Sequence, residues 1–172
     1  TFDATVVKKL RSAGAVVLGK LNLSEGAAAG YNPAFDVPVN PWRADRWPGM
    51  SSSGSGVATA AGLCFGAIGT DTGGSIRNPA SANGVVGLKP TYGRVSRYGV
   101  LAMAPSLDHV GCLTRTVADA AIMFDAIAGY DPQDQTSLNE PPSSALSQID
   151  QGVRNVRIGL DRTYALKGID NG

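Results

Sequence analysis

The spacing of apolar side chains predicts two helices. In residues 1–13, apolar side chains recur at every third or fourth position before Gly14, as in an amphipathic helix that a glycine ends. Residues 117–127 show the same period, with a capping-box-like start at Thr116 and a stop at Gly129. We expect the apolar stripe of this second helix to pack in the core.

Short apolar runs without a helical period predict strands. They lie at 15–18, 63–68, 85–88 and 156–160 and are bounded by glycine, proline or polar residues. A stretch of small residues at 54–61 predicts a further helix just before the second run. Helices and strands that follow one another in this way indicate an α/β protein.

Composition narrows the class of protein. With 172 residues, 43% of them apolar and 17% charged, the chain has the make-up of a globular domain with a real core. Its net charge of +1 comes without a cluster of basic residues, which does not favour a nucleic acid as a direct partner. No apolar run approaches the roughly 20 residues that cross a bilayer, and no signal segment opens the chain. We therefore expect no membrane contact and a cytoplasmic location.

The two cysteines, Cys64 and Cys112, have apolar or glycine-rich neighbours and no CxxC spacing. Zinc and redox chemistry usually need paired cysteines or nearby histidines. We therefore expect two buried thiols and no metal site.

Two serine-containing turns flank the predicted unit of helix 54–61 and strand 63–68. The first turn is Ser51 to Ser55, and the second is the run TDTGGS, which ends at Ser75. A serine after paired glycines suits a nucleophile, because missing side chains let a substrate carbonyl approach backbone N–H groups. The pattern predicts that the two turns bring hydroxyl groups together.

Two other schemes draw on the same residues. A Ser-His-Asp triad would need His109, the only histidine, and its chain neighbour Asp108 is poorly placed to orient it. A phosphate cradle at residues 51–56 would use a helix N-terminus, but the sequence has neither a P-loop nor a complete GxGxxG motif. We expect His109 to be a hydrogen-bonded structural residue.

A third scheme is a serine nucleophile whose proton passes through a second serine to a lysine. Ser75 would attack an amide carbonyl, and its proton would pass through the serine cluster, which begins 24 residues earlier at Ser51, to a neutral amine. A lysine, whose ordinary pKa is about 10.4, would have to be buried among polar groups to serve as that amine.

Three runs of this region resemble the amidase signature family. PGMSSSGS, which begins at Pro48, is similar to that family's PGGSSGGS, and GTDTGGSIR followed by GVVGLKPTYGRVS matches its most characteristic run at the family's spacing. The match extends from about Leu10 to about Ser137. The fold that this resemblance implies is α/β: a twisted, mixed and largely parallel sheet covered by helices, of which this chain forms part.

The resemblance also assigns site residues. Ser75 corresponds to the acyl-forming nucleophile, and Ser51 to a bridging serine that follows a cis peptide bond, here from Met50. The oxyanion hole would consist of the backbone N–H groups of Thr72, Gly73, Gly74 and Ser75. Residues that hold the serine turns by hydrogen bonding would be Ser52, Asp71 and Arg77.

The sequence departs from the family pattern at three points. Met50 and Ser53 stand where the pattern has glycine, in a turn that can need permissive backbone angles. The family's catalytic lysine lies upstream, in a segment without a counterpart here, and the lysines that do not match its motif are Lys8, Lys9, Lys20 and Lys89. Family members run to several hundred residues, so we expect residues 1–172 to be the central part of one amidase domain, truncated at both ends.

The resemblance implies an amidase that hydrolyses a small-molecule carboxamide to a carboxylate and ammonia without a metal or organic cofactor. The alternative within the family is the glutaminase A subunit of the aspartyl/glutamyl-tRNA amidotransferase. The first of these functions is compatible with a homodimer of the chain. The second would require the other amidotransferase subunits as partners. A third hypothesis is that the isolated chain is inactive because it lacks the lysine.

Overall fold

The computed structural model describes residues 2–28, 30–141 and 144–169. Five α-helices, three strands and two 3-10 turns make up its regular structure. In chain order these are α1 (Thr5–Ser12), a 3-10 turn (Glu25–Ala27), α2 (Ser53–Ala60), β1 (Gly66–Asp71), α3 (Arg77–Asn83), β2 (Val86–Leu88), β3 (His109–Thr114), α4 (Val117–Ile127), a second 3-10 turn (Leu146–Gln151) and α5 (Arg162–Ala165). Within these residues, none of the helices is long and apolar enough to cross a membrane.

The sheet has the order β1-β3-β2, with β3 in the middle and antiparallel to both neighbours. Asp71, the last residue of β1, pairs with His109, the first of β3. This pairing brings the turn after β1 to the same edge as the loop before β3. Helices and a sheet together confirm the α/β class, but both of these pairings are antiparallel, so the largely parallel sheet stays a prediction.

The core consists of two clusters of buried apolar side chains, one at each side of β3. The helix predicted at 117–127 is confirmed as α4, and Ile127 at its end is completely buried. Thr116 caps this helix by accepting the Asp119 N–H at 3.1 Å. The clusters are Val6, Val95, Val110 and Ile127 in the first and Ile76, Ala80 and Leu113 in the second.

Two predicted strands are wrong. Residues 15–18 and 156–160 are not strands in the structure, and their apolar side chains are exposed, as at Val16 (83%) and Ile158 (88%). An apolar run forms a strand only where a neighbouring strand accepts its backbone hydrogen bonds, and within the described residues neither segment pairs with one.

Other boundaries differ from the prediction by a few residues. The first helix begins at Thr5, and the second strand runs from Gly66 to Asp71, so that Phe65 is 84% exposed. The predicted helix at 54–61 is α2, shifted by one residue. The sequence analysis identified neither α3 nor β3, although β3 is the central strand of the sheet.

Both cysteines are free thiols. Cys112 is completely buried in β3, as predicted, and burial raises the pKa of its thiol to about 12. Cys64 is only partly buried. In the described ranges, no group of three or more His, Cys, Asp or Glu side chains is placed to hold a metal ion.

Candidate active site

Ser52 joins the two serine turns. Its backbone N–H donates to the carbonyl oxygen of Ser75 at 3.2 Å. Its hydroxyl donates to the Thr70 carbonyl at 3.3 Å and accepts the Thr70 N–H at 3.2 Å. A Cβ at Gly69 would lie 2.8 Å from this hydroxyl oxygen, so a glycine in β1 lets the first turn approach the strand. The structure thus brings the Ser51 and Ser75 turns together.

Ser51, which precedes Ser52 in the first serine turn, is buried. The peptide bond from Met50 to Ser51 is cis, as the resemblance implies. The Ser51 side chain is 1% exposed, and its hydroxyl has no hydrogen-bond partner within the described residues. Its carbonyl oxygen accepts the Ser24 N–H at 3.4 Å. A buried hydroxyl without a partner loses its hydration without compensation, so the site holds a polar group that is free to bond with another.

The serine that replaces glycine at position 53 has a partner from a distant segment. Tyr31 donates its hydroxyl to Ser53 Oγ at 2.6 Å, and the same Tyr31 oxygen lies 3.4 Å from the Gly49 carbonyl. Ser53 is completely buried. At Gly49, φ is +84° and a Cβ would overlap the backbone of Pro79, so this glycine is required. Met50 and Ser53, by contrast, do not have a positive φ, so the backbone accepts a side chain at both positions where the sequence departs from the family pattern.

Asp71 holds the second turn. Its carboxylate is completely buried and accepts the backbone N–H groups of Gly74 (2.8 Å), Ile76 (3.1 Å) and Arg77 (3.3 Å). The Arg77 guanidinium donates to both carboxylate oxygens, from Nε at 3.0 Å and Nη2 at 2.9 Å. Burial alone would raise the pKa of Asp71, but the bonds from Arg77 and the backbone lower it to about 2. Asp71 is therefore ionised at neutral pH.

The N–H groups of the Ser75 turn are not equivalent. Gly74 donates its N–H to Asp71, whereas those of Thr72, Gly73 and Ser75 find no acceptor in the part of the chain that the structure describes. Gly73 is exposed, and a Cβ built on it would meet no atom within 4 Å. Of the four N–H groups that the resemblance assigns to an oxyanion hole, the Gly74 N–H is therefore engaged by the buried Asp71 carboxylate, and the other three have no acceptor within the described residues.

Asp108 contacts this turn from the other side. Thr72 donates its hydroxyl to Asp108 Oδ1 at 2.5 Å, and the same carboxylate accepts the N–H groups of Met103 (2.9 Å) and Ala104 (3.0 Å). From the sequence, Asp108 is a candidate only for a triad. Its contact with Thr72 has no local sequence signal, because it depends on the pairing of β3 with β1.

A Ser-His-Asp triad is not assembled. His109 Nδ1 lies 2.6 Å from the Leu107 carbonyl and 3.2 Å from the Asp71 carbonyl, and its ring packs edge-on against Tyr92. The Asp108 carboxylate is bonded to Thr72 and to the backbone instead. His109 is a hydrogen-bonded structural residue, as predicted.

The phosphate cradle is also not formed. The Gly54 N–H donates to the Asn22 carbonyl at 3.0 Å, and Ser55 donates its hydroxyl to the Ile68 carbonyl at 2.8 Å. Residues 51–56 are buried against the sheet and the Asn22 segment. An anion would find these groups already engaged, so this region does not provide an open site at the start of α2.

The lysines with hydrogen-bond partners lie away from the serine turns. Lys9 donates to the carbonyls of Ala128 (2.7 Å) and Gly129 (3.0 Å), and burial lowers its pKa against the opposing charge of Asp131. Lys89 donates to the Pro90 carbonyl at 2.8 Å. Across the described residues, no hydrogen bond joins a lysine to Ser51 or Ser75.

A cleft of about 600 Å³ opens beside Thr70 and Thr72. Its wall is mainly apolar, and the loop before β3 contributes more residues to it than any other segment, with Asp108 and Asp134 among the polar residues that face it. The aliphatic and proline residues that line it are Leu23, Ala27, Val100, Leu101, Ala102, Met103, Pro105 and Val110. A ligand in this cleft would lie next to the Thr72 end of the turn.

The chain is similar to proteins of two kinds. It is 55% identical over 160 residues to AmiD of Mycobacterium tuberculosis, an alignment that covers 93% of this chain and 34% of AmiD. It is 51% identical over 173 residues to the A subunit of the glutamyl-tRNA(Gln) amidotransferase of Anaeromyxobacter dehalogenans, covering 99% of this chain and 35% of that protein. The chain thus spans about a third of the length of these relatives.

Solved structures agree with both the fold and the family. The A subunit of the glutamyl-tRNA(Gln) amidotransferase of Thermotoga maritima superposes with a TM-score of 0.84 at 53% identity, over 88% of this chain and 34% of that one. The native peptide amidase of Stenotrophomonas maltophilia gives a TM-score of 0.80 at 45% identity, over 89% and 34% of the two chains. The family model described as Amidase matches residues 1–171. With this match and the two serine turns in contact, the chain belongs to the amidase family.

Proposed function

We propose that this chain carries the nucleophile of an amidase that hydrolyses a small carboxamide to a carboxylate and ammonia. The observation that supports this most directly is the contact between the two serine turns through Ser52, whose N–H donates to the Ser75 carbonyl at 3.2 Å. This contact holds Ser75 beside the free N–H groups of Thr72 and Gly73. A nucleophile next to preorganised N–H donors is the arrangement that acyl transfer requires.

In the proposed reaction, Ser75 Oγ attacks the amide carbon while its proton passes to the Ser51 hydroxyl. The N–H groups of Thr72, Gly73 and Ser75 stabilise the negative charge that forms on the carbonyl oxygen. A single donor of this kind contributes about 3 kcal/mol to the transition state. The C–N bond then breaks, the nitrogen takes up the proton that left Ser75 and leaves as ammonia, and an ester with Ser75 remains. Water hydrolyses this ester to the carboxylate and restores the Ser75 hydroxyl.

Ser51 would relay the proton. Its hydroxyl is buried and has no hydrogen-bond partner within the described residues, Ser75 included, so the proposed relay requires the Ser75 hydroxyl to turn towards Ser51 when substrate binds. The base that the family resemblance implies is a lysine, and no lysine of this chain is assigned to that role. The proposed chemistry needs no metal or organic cofactor.

An alternative within the family is the glutaminase step of an amidotransferase A subunit. The identity of 51% to 53% with such subunits from Anaeromyxobacter dehalogenans and Thermotoga maritima supports it. Glutamine would then be the amide, and the ammonia would pass to partner subunits instead of being released. Ammonia release from glutamine that depends on added partner subunits separates this alternative from a stand-alone amidase, for which a homodimer and a cytoplasmic location stay predictions.

The test is covalent labelling with a fluorophosphonate, a reagent that phosphonylates activated serines. The chain and a full-length protein that contains it are each compared with their Ser75→Ala variants, and the labelled residue is identified by mass spectrometry. Ser81→Ala, which changes an exposed serine of α3, is the matched control. Labelling of Ser75 in both proteins supports the proposal, and labelling of the full-length protein alone supports the hypothesis that the isolated chain is inactive. No labelling of Ser75 in either folded protein contradicts the proposed function.

A further inference from the structure

Asp108 connects the Ser75 turn with the loop that lines the cleft. On one side its carboxylate accepts the hydroxyl of Thr72, in the Ser75 turn, and on the other it accepts the N–H groups of Met103 and Ala104, in the loop that walls the cleft. We propose that Asp108 is a positioning residue that fixes the Thr72 end of the oxyanion turn and couples it to the cleft wall. This inference rests on the proposed function for its effect on labelling, but its structural part can be tested alone.

The Asp108 carboxylate is well placed for this role. The residue is 8% exposed, and its two oxygens accept four hydrogen bonds, with Ala104 N–H shared between both oxygens at 3.0 Å. Hydrogen bonds to an ionised acceptor are about twice as strong as those between neutral groups. Burial would raise the pKa of Asp108, but these bonds lower it below its usual range. The carboxylate is therefore charged, and it restrains both partners at neutral pH.

The turn is restrained at both ends, by a different carboxylate at each. Asp71 accepts the N–H group of Gly74, which lies between the free donors Gly73 and Ser75. It also accepts the N–H group of Ile76, which follows Ser75. Asp71 makes no hydrogen bond with Thr72 among the described contacts, so the Thr72 end depends on its own side chain. The Thr72 hydroxyl, 2.5 Å from Asp108 Oδ1, fixes the residue whose free N–H begins the oxyanion turn.

The other half of the contact concerns the cleft. Met103 and Pro105, on either side of Ala104, line the cleft together with Asp108 itself. A ligand that displaces this loop would strain the hydrogen bonds from Met103 and Ala104 to Asp108. Through Asp108 the strain would reach Thr72, so occupancy of the cleft and the geometry of the oxyanion donors would be linked.

The experiment compares Asp108→Asn with Asp131→Asn. Asp131 is a suitable control because it is also a buried carboxylate that accepts hydrogen bonds, from the hydroxyls of Thr5 and Ser96, but it does not line the cleft and makes no hydrogen bond with Thr72 among the described residues. The first measurement is hydrogen exchange of the backbone amides of residues 70–76, followed by mass spectrometry. The second is the rate of fluorophosphonate labelling of Ser75. Both use the full-length protein and are repeated for Thr72→Val and Thr72→Ser.

We expect Asp108→Asn and Thr72→Val to speed exchange at residues 70–76 by about tenfold and to slow labelling, whereas Asp131→Asn leaves both at the wild-type values. Thr72→Ser, which keeps the hydroxyl, should restore the wild-type behaviour. Exchange at residues 70–76 that is the same in Thr72→Val as in the wild type overturns the proposal, even if Asp108→Asn fails to fold. If the wild type itself is not labelled, the proposed function fails, and the exchange measurement still decides whether Asp108 positions the turn.

Discussion

The backbone N–H of Ser52 and the carbonyl oxygen of Ser75 are joined by a hydrogen bond of 3.2 Å. The two residues belong to different turns, one before α2 and the other after β1. Because the bond involves only backbone atoms, it sets the distance between the turns whatever their side chains do. The Ser52 side chain adds a second connection, since its hydroxyl bonds both polar groups of the Thr70 backbone.

Ser52→Ala should therefore destabilise the protein without separating the turns completely. The substitution leaves the Thr70 N–H without its acceptor in a part-buried position, which costs about 1–3 kcal/mol. Urea unfolding should show a lower midpoint with an unchanged slope. The control is Ser106→Ala at an exposed position, for which we expect a change within about 0.5 kcal/mol. Equal stability of the two variants would contradict this role of the Ser52 hydroxyl.

Tyr31 and Ser53 should show a measurable coupling energy. Tyr31 donates to Ser53 Oγ at 2.6 Å, so Tyr31→Phe should cost about 1 kcal/mol in the wild type. In a Ser53→Gly background, which has the residue of the common family pattern, the same change should cost much less. Chemical unfolding of the four proteins of this double-mutant cycle gives the interaction energy. A coupling energy near zero would mean that the two hydroxyls contribute independently.

The sequence predicted the contact between the two serine turns better than it predicted the strands. The two serine turns could be identified because glycine and serine at fixed spacing match a family motif, and the cis bond at Met50 came with that resemblance. The Gly74 N–H could not be assigned to Asp71 in this way, because no spacing rule tells which acceptor a buried amide finds. The contact of Thr72 with Asp108 was missed for the same reason, since it depends on the pairing of β1 with β3.

The strands show where periodicity fails. Short apolar runs lie at residues 15–18 and at residues 63–68. Only the second run contributes to a strand, Gly66–Asp71, because β3 lies beside it. β3 itself contains His109, Gly111 and Thr114 and has no clear alternation to reveal it. Whether an apolar run forms a strand therefore depends on its pairing partner, which the local sequence does not encode.

The stability of the protein should depend on pH through Asp71. Its pKa falls from 3.8 to about 2 on folding, so the folded state binds the proton more weakly than the unfolded chain. The resulting stabilisation, about 2 kcal/mol, is fully present above the unfolded pKa near 4 and is lost as the pH falls through about 2. In Asp71→Asn this contribution is absent at every pH. The difference in unfolding free energy between wild type and variant should therefore shrink between pH 5 and pH 2.

The control for this titration is Asp45→Asn. Asp45 is an exposed carboxylate that pairs with Arg43 on the surface, so it should change stability by less than about 1 kcal/mol. Guanidinium unfolding at a series of pH values measures both variants against the wild type. A difference for Asp71→Asn that stays constant from pH 5 to pH 2 would show that the carboxylate does not stabilise the fold through its charge.

Gly73→Ala and Gly74→Ala should separate catalysis from stability. At Gly74, φ is +139° and a Cβ would lie 2.7 Å from Asn78 Nδ2, so alanine there should cost about 1 kcal/mol or more in stability. At Gly73 a Cβ meets no atom within 4 Å, and we expect stability to change by less than about 0.5 kcal/mol. We nevertheless expect the new methyl group at Gly73 to hinder the approach of a substrate carbonyl to the neighbouring free N–H groups. Fluorophosphonate labelling of Ser75 should then be slower by about tenfold or more. A Gly73→Ala protein that is labelled as fast as the wild type would show that the substrate carbonyl does not approach the turn from this side.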